Sequence, residues 1–171
     1  MRHARWFVAV FATVAVAVVP RPVRADGEGK STWPQLGGHV GAVVPLVTVD
    51  SAGTQGIGDF VTVAIASGVT VKLGPQVAVD FEDVVGEPLK PKGGTTGLTI
   101  DPGVIYDPGP LALGVRLAVQ VGAPANLGII PLVHKGFSLG DASWFLEVDL
   151  PLADVDGSWT FTVALHTGVS F

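Results

Sequence analysis

Residues 159–171 alternate without interruption, and this alternation restricts the chain more than any other feature. Trp159, Phe161, Val163, Leu165, Thr167, Val169 and Phe171 fall on one side of an extended chain, and Thr160, Thr162, Ala164, His166, Gly168 and Ser170 on the other. Side chains of a strand point alternately to its two faces, so a period of two is a strand with one apolar face; a helix would scatter the same residues around its circumference. The run 111–122 repeats the pattern, with Leu111, Leu113, Val115, Leu117, Val119 and Val121 against Ala112, Gly114, Arg116, Ala118, Gln120 and Gly122. Within 59–73, Val61, Val63, Ile65, Val69, Val71 and Leu73 oppose Thr62, Ala64, Ala66, Gly68, Thr70 and Lys72. The run 76–85 sets Val77, Val79 and Phe81 against Asp80 and Glu82, and 142–152 sets Trp144, Leu146, Val148 and Leu150 against Ser143, Glu147 and Asp149. The runs 39–49 and 127–138 are apolar on both faces, which leaves their phase open. With 96–106 these make eight strand-length runs divided by Gly, Pro and Asp, and none sustains a helical period. The expected fold is all-β and antiparallel.

The two ends of the chain say where such a fold is used. Arg2, His3 and Arg5 precede an uncharged apolar run, Trp6 to Val19, which Pro20-Arg21-Pro22 breaks; Val23-Arg24-Ala25 then places small residues where a signal peptidase reads. This is the three-part pattern of a secretory signal peptide, 1–25, with cleavage after Ala25. The apolar run falls short of the roughly 20 residues that a spanning helix needs. Residues 26–38, polar and glycine-rich, read as a lead-in, and 39–171 as the β-domain. Removal of 1–25 leaves 146 residues with six basic against fifteen acidic side chains, a formal charge of −9. An acidic chain is a poor partner for nucleic acid. The absence of cysteine excludes disulfides, thiolate metal sites and lipidation at an N-terminal Cys.

Alternation alone does not decide whether the apolar face points into a soluble barrel or out of a membrane barrel. Three features favour outward. The opposite faces carry small residues and a few charges, Lys72, Asp80, Glu82, Asp101, Arg116, Glu147 and Asp149, which can pair in a narrow lumen; a soluble exterior is richer in Lys and Glu. The apolar faces run unbroken along whole strands. Aromatic residues gather near strand ends, Phe60 and Trp159 at one rim and Tyr106, Phe137, Trp144 and Phe171 at the other, as in the girdles at lipid–water interfaces. Connection lengths agree: with both ends of the β-domain in the periplasm, the two longest connections, 50–58 and 86–95, face outward. The expectation is an up-and-down transmembrane β-barrel of about eight strands. The second reading is an exported soluble barrel that holds an apolar ligand inside.

The final strand, Trp159 to Phe171, resembles the C-terminal assembly signal of bacterial outer-membrane proteins, with Phe161, Val163, Leu165, Gly168, Val169 and Phe171 at its pattern positions. Together with the signal peptide and the strand number, the whole mature chain resembles the small eight-stranded outer-membrane barrels, the OmpX, OmpW and OmpA-membrane-domain type. The resemblance implies an outer-membrane location, contact with outer-membrane lipid and lipopolysaccharide, and delivery by the barrel-assembly machinery through the last strand. It carries over no ligand or activity, and it leaves the oligomeric state open.

Little in the sequence reads as chemistry. His39, His134 and His166 lie in different strands without ligand spacing, so no metal and no cofactor are expected. Outer-membrane lipid A deacylases place His and Ser two apart on a barrel wall; here Ser170 is four residues from His166 and Ser138 four from His134, so no enzyme is expected. His166 is placed in the lumen near Glu147 or Asp149. Arg116 stands mid-strand among small residues, where isolation in hydrocarbon would be costly. It is expected in the lumen, forked by Asp80, Glu82 or Asp101, as a salt bridge in a filled interior or as a selectivity residue of a pore. The Gly-rich stretches Gly53–Gly58 and Gly93-Gly94 do not lie between a strand and a helix and read as loops. Lys90 and Lys92 form a cationic loop tip.

Overall fold

The sheet that these runs build closes on itself. The computed structural model describes residues 32–57, 59–90, 96–122, 126–155 and 157–171. The expected signal peptide, residues 26–31 of the lead-in, Gly58, Lys92, Gly93 and Gly94 lie outside the described residues. The strands are β1 (Gln35–Asp50), β2 (Gly53–Gly56), β3 (Val61–Lys72), β4 (Val77–Lys90), β5 (Gly97–Tyr106), β6 (Ala112–Val121), β7 (Leu127–Leu139), β8 (Ala142–Asp149), β9 (Leu152–Val155) and β10 (Ser158–Ser170). Neighbours pair antiparallel, and β1 pairs with β10 from His39–Ser170 to Val49–Phe161, which joins the two ends of the sheet. Gly38 and Phe171 extend that seam by exchanging backbone hydrogen bonds of 2.8 and 2.9 Å. Closure removes the two open edges that a flat sheet of these staves would offer as templates for aggregation.

The ten segments form eight staves. β2 pairs with the far end of β1 and continues the line of β3, and β9 pairs with β7 and β10 and continues the line of β8. Pro151, which has no N–H, lies in the break between β8 and β9. Three boundaries differ from the sequence reading. The wall begins at Gln35, not residue 39, because Gln35–Gly38 pair with Val69–Lys72 although they carry no alternating pattern. The connection expected at 50–58 is largely a tight hairpin: the Asp50 carboxylate accepts the amides of Ala52 and Gly53 at 2.7 and 3.1 Å, and β2 then pairs back along β1. The third run continues through Lys90 rather than ending at residue 85.

Charge and apolar surface are the reverse of a soluble domain. Leu113 is 50 % exposed and Phe161 40 %, whereas Arg116 is 3 % and Glu147 0 %. The buried apolar residues are mostly alanines, Ala64, Ala66, Ala78, Ala112 and Ala164, with Ile130, Leu132 and Phe145. Cross-strand pairing also resolves the two runs whose phase was open. In β7, Gly128, Ile130 and Leu132 are buried between exposed Leu127, Ile129 and Pro131. In β1, His39, Gly41, Val43 and Pro45 share the inner face of their β10 partners, but the register shifts between Pro45 and Val47. That bulge carries Thr48 inward opposite Thr162 and sends Val47 and Val49 outward, so both parities of β1 must be apolar somewhere.

Candidate functional site

The interior is organised around Arg116, near the middle of β6. Its cross-strand neighbour on β5 is Gly103, and a Cβ there would lie 2.5 Å from the Arg116 Cγ. Only glycine lets the guanidinium pass over β5 to β4, where Asp80 and Glu82 face inward. Arg116 Nε and Nη2 lie 3.0 and 2.9 Å from Asp80 Oδ2, and Nη1 donates to Glu147 Oε1 at 2.7 Å. Glu82 Oε1 stands 3.5 Å from Nη1 and Asp149 Oδ1 3.9 Å. The guanidinium thus spans the lumen, with carboxylates from β4 on one side and β8 on the other, a geometry that its rigid fork of donors suits and a lysine would not reproduce.

Hydroxyl and imidazole donors complete the cluster. Thr70 Oγ1 donates to Asp80 Oδ1 at 2.6 Å, and His39 Nε2 donates to Glu82 Oε2 at 2.8 Å. Glu147 accepts from His134 Nδ1 at 3.0 Å and His166 Nδ1 at 3.2 Å. Phe145 packs among the imidazoles, edge-on to His166 at 4.9 Å and stacked on His134 at 5.2 Å. His166 rests against Gly41, where a Cβ would come within 2.7 Å of its Nε2.

Arg116, Asp80, Glu82, Asp101, Glu147, Asp149 and His166 are all buried in this interior. Of the three carboxylates expected on Arg116, Asp80 is in direct contact and Glu82 is at the longer distance; Glu147 takes the place expected for Asp101. His39, His134 and Phe145 belong to the cluster although the sequence reading left them out. The two histidines sit in the strands of ambiguous phase, and Phe145 lies on the charged face of β8, where its parity with Glu147 was the available signal. His39, Asp80 and Glu82 bring one ligand atom each within 4.8 Å of one another, as do Glu147, Asp149 and His166. Spacing along the chain had not shown these groupings. Arg116 contacts carboxylates of both sets, and its charge opposes a metal ion in either, so the arrangement works as an ion-paired plug.

A cavity of about 610 Å³ reaches the plug from the end that carries both chain ends of the barrel, and one of about 240 Å³ from the opposite end. His39, Asp80, His134 and Glu147 line the first, Glu82, Asp101 and Asp149 the second, and Arg116 both.

Phe161 and Val169 face outward on β10, as do their pairing-parity mates Val163 and Leu165, while Gly168 faces Phe145 inside. Tyr106, Phe137, Trp144 and Phe171 are exposed at the rim of the chain ends, where Phe137 stacks on Trp144 at 4.7 Å and Trp144 Nε1 donates to Thr167 Oγ1 at 2.8 Å. Phe60 and Trp159 lie at the other rim. A paired row of outward residues climbs the wall from Phe137 through Trp144, Val169, Val40, Ser67, Asp83, Ile100 and Val119 to Leu127. Midway along it the Ser67 hydroxyl lies 3.0 and 3.1 Å from the two oxygens of Asp83, a polar pair the sequence reading did not single out.

Fold and interior together define a closed antiparallel β-barrel with an apolar wall and a charged plug. No family model matches the sequence, and no curated protein shows significant similarity to it. Among solved structures the chain is similar to one described as "De novo design of transmembrane beta-barrels", at 16 % identity and a TM-score of 0.41, covering 83 % of this chain and 98 % of that one. It is also similar to the de novo designed TMB2.3, solved by NMR in solution, at 14 % identity and a TM-score of 0.43, covering 83 % of this chain and 97 % of that one.

Proposed function

We propose that this chain is a bacterial outer-membrane β-barrel protein of the small eight-stranded type, exported with a cleaved leader and without enzymatic activity. The observation that carries the reading is the sidedness of the wall: aliphatic rows face out over the height of the strands, and charges face in. In lipid every backbone amide must pair within the protein, and a closed sheet satisfies that demand. The C-terminal strand is the element offered to the assembly machinery, and the outer wall meets lipid and lipopolysaccharide. A soluble barrel with an apolar ligand inside would need an apolar lumen, and the plug fills that space with Arg116, Glu147 and His166. The role this supports is a structural or adhesive one, with the lumen closed. Cell fractionation tests the location: the protein is expected in the outer-membrane fraction, extracted only by detergent and migrating differently on gels before and after boiling. Recovery from the periplasm without detergent would sink the proposal.

The two cavities that approach Arg116 from opposite ends favour a second reading, a narrow solute passage. In planar bilayers it requires discrete single-channel currents from the purified wild-type protein; a silent bilayer supports the closed lumen.

A further inference from the structure

We propose that the middle of the β3–β4 wall is a contact surface for a second copy of this chain, joined through Ser67 and Asp83. The inference rests on the lipid-facing wall of the outer-membrane reading and goes beyond it. Ser67 and Asp83 stand directly opposite each other near the middle of β3 and β4, and they share the outward parity of Val69 and Phe81. The apolar side chains around them, Ile65, Val69, Phe81 and Ile100, are exposed. An ionisable group within a membrane almost always faces protein or water, so one on the outer wall marks a contact. Ser67 gives Asp83 a single hydroxyl hydrogen, shared between oxygens at 3.0 and 3.1 Å, and no other side chain among the described residues bonds to it. Lipid headgroups lie at the level of the aromatic rims, so a further partner at this depth is protein. A basic residue on that protein would itself cross hydrocarbon at a larger cost than the acid.

A second copy needs no such residue. Two barrels inserted in the same sense are related by a two-fold axis along the membrane normal, and that axis preserves depth. Placed between β3 and β4, it sets Ser67 of each copy against Asp83 of the other, the reciprocal contact of an isologous dimer. The polar set is then self-complementary. Each Ser67 hydroxyl donates to its own Asp83, and each Asp83, in its acid form, donates to the Ser67 oxygen of the other copy. Four O–H groups close a ring in which each donates once and accepts once, so the match does not depend on a charge. The flanking pairs agree: Val69 lies opposite Phe81 and Ile65 opposite Val85, so the same axis sets apolar on apolar on both sides of the ring.

The chain has no cysteine, so introduced thiols report single contacts. Ile65→Cys and Val85→Cys barrels, mixed in phosphatidylcholine vesicles and oxidised, should form the mixed disulfide. Leu117→Cys, on β6, mixed with Val85→Cys should not. Energy transfer between barrels labelled at Leu139→Cys, followed against the protein-to-lipid ratio, gives the dimer dissociation constant. Asp83→Leu should raise it about tenfold to a hundredfold, two lost interbarrel bonds at roughly threefold to tenfold each. A contact held by apolar surface alone would be strengthened by that substitution. Asp83→Asn keeps a donor and an acceptor and should stay within about threefold of the wild type. A barrel that inserts but remains monomeric at every ratio, thiols that link no faster than the Leu117→Cys control, or dimers indifferent to Asp83→Leu would overturn the contact and leave the outer-membrane reading standing. A wild type that does not insert into the vesicles would sink the lipid-facing wall and this contact with it.

Discussion

Arg116→Met is expected to cost the barrel about 3–5 kcal/mol, the range for breaking a buried ion pair from one side. Methionine keeps the unbranched stem as far as the position of Nε, so the loss is chiefly of the charge and its donors. Asp80, Glu82 and Glu147 would then face one another in the lumen with three imidazoles and one threonine hydroxyl as their donors. The measurement is urea unfolding in micelles, followed by tryptophan fluorescence and by the boiling-dependent mobility shift. Removing the acids that Arg116 holds should restore part of the loss: in Arg116→Met with Asp80→Asn and Glu147→Gln the effects should be far from additive, because all three groups act as one network. Asp101→Asn should cost much less, since one of its oxygens has no partner to lose. An Arg116→Met barrel within about 1 kcal/mol of the wild type would show that packing, not pairing, holds the interior together.

The second large effect concerns the outer wall and has two signs. Val163→Arg and Leu165→Arg should each oppose insertion by about 2–4 kcal/mol if their positions lie near the bilayer midplane. Thr162→Ser, on the inner face of the same strand, should be nearly neutral. Asp83→Leu should act in the opposite direction. Its carboxylate sits midway along an otherwise apolar outward row, held by Ser67, and an acid there is charged against lipid at a smaller cost than Arg or Lys. Replacement should therefore stabilise the folded protein in lipid bilayers by a smaller amount, of order 1 kcal/mol. Folding yield into vesicles and the unfolding midpoint read all four variants. If Arg at 163 or 165 is tolerated as well as Ser at 162, or if Asp83→Leu aggregates from a monomeric wild type in water, the wall does not face lipid.

Much of the barrel was legible in the strands with clean alternation. In β10, β6 and β3 the residues that share a face follow from parity alone, and the turns follow from Gly, Pro and Asp between the runs. Arg116 and His166 were legible as lumen residues because each is out of place among the small residues of its row, and Glu147 because it alternates with Trp144, Leu146 and Val148. The partners were less so. Arg116 was expected on Asp80, Glu82 or Asp101, all on β4 and β5; its contact with Glu147 crosses the lumen from β8, and no local pattern reports which carboxylate a long side chain will meet across a narrow interior. His39 and His134 were missed for a different reason. Their strands are apolar on both faces, and in β1 the bulge after Pro45 inverts the parity partway along, so a single alternation cannot describe it.

By itself, then, the sequence determined the strand runs, their punctuation and the membership of each face wherever one strand keeps a strict period of two, because that period is a local property of extended backbone. The tertiary structure decided the start of the wall at Gln35, the phase of β1 and β7, the bond of His39 to Glu82, and the placing of His134 and Phe145 beside Glu147 and His166. These depend on the hydrogen-bond register added up around a closed sheet, and that sum exists only once β10 has paired with β1.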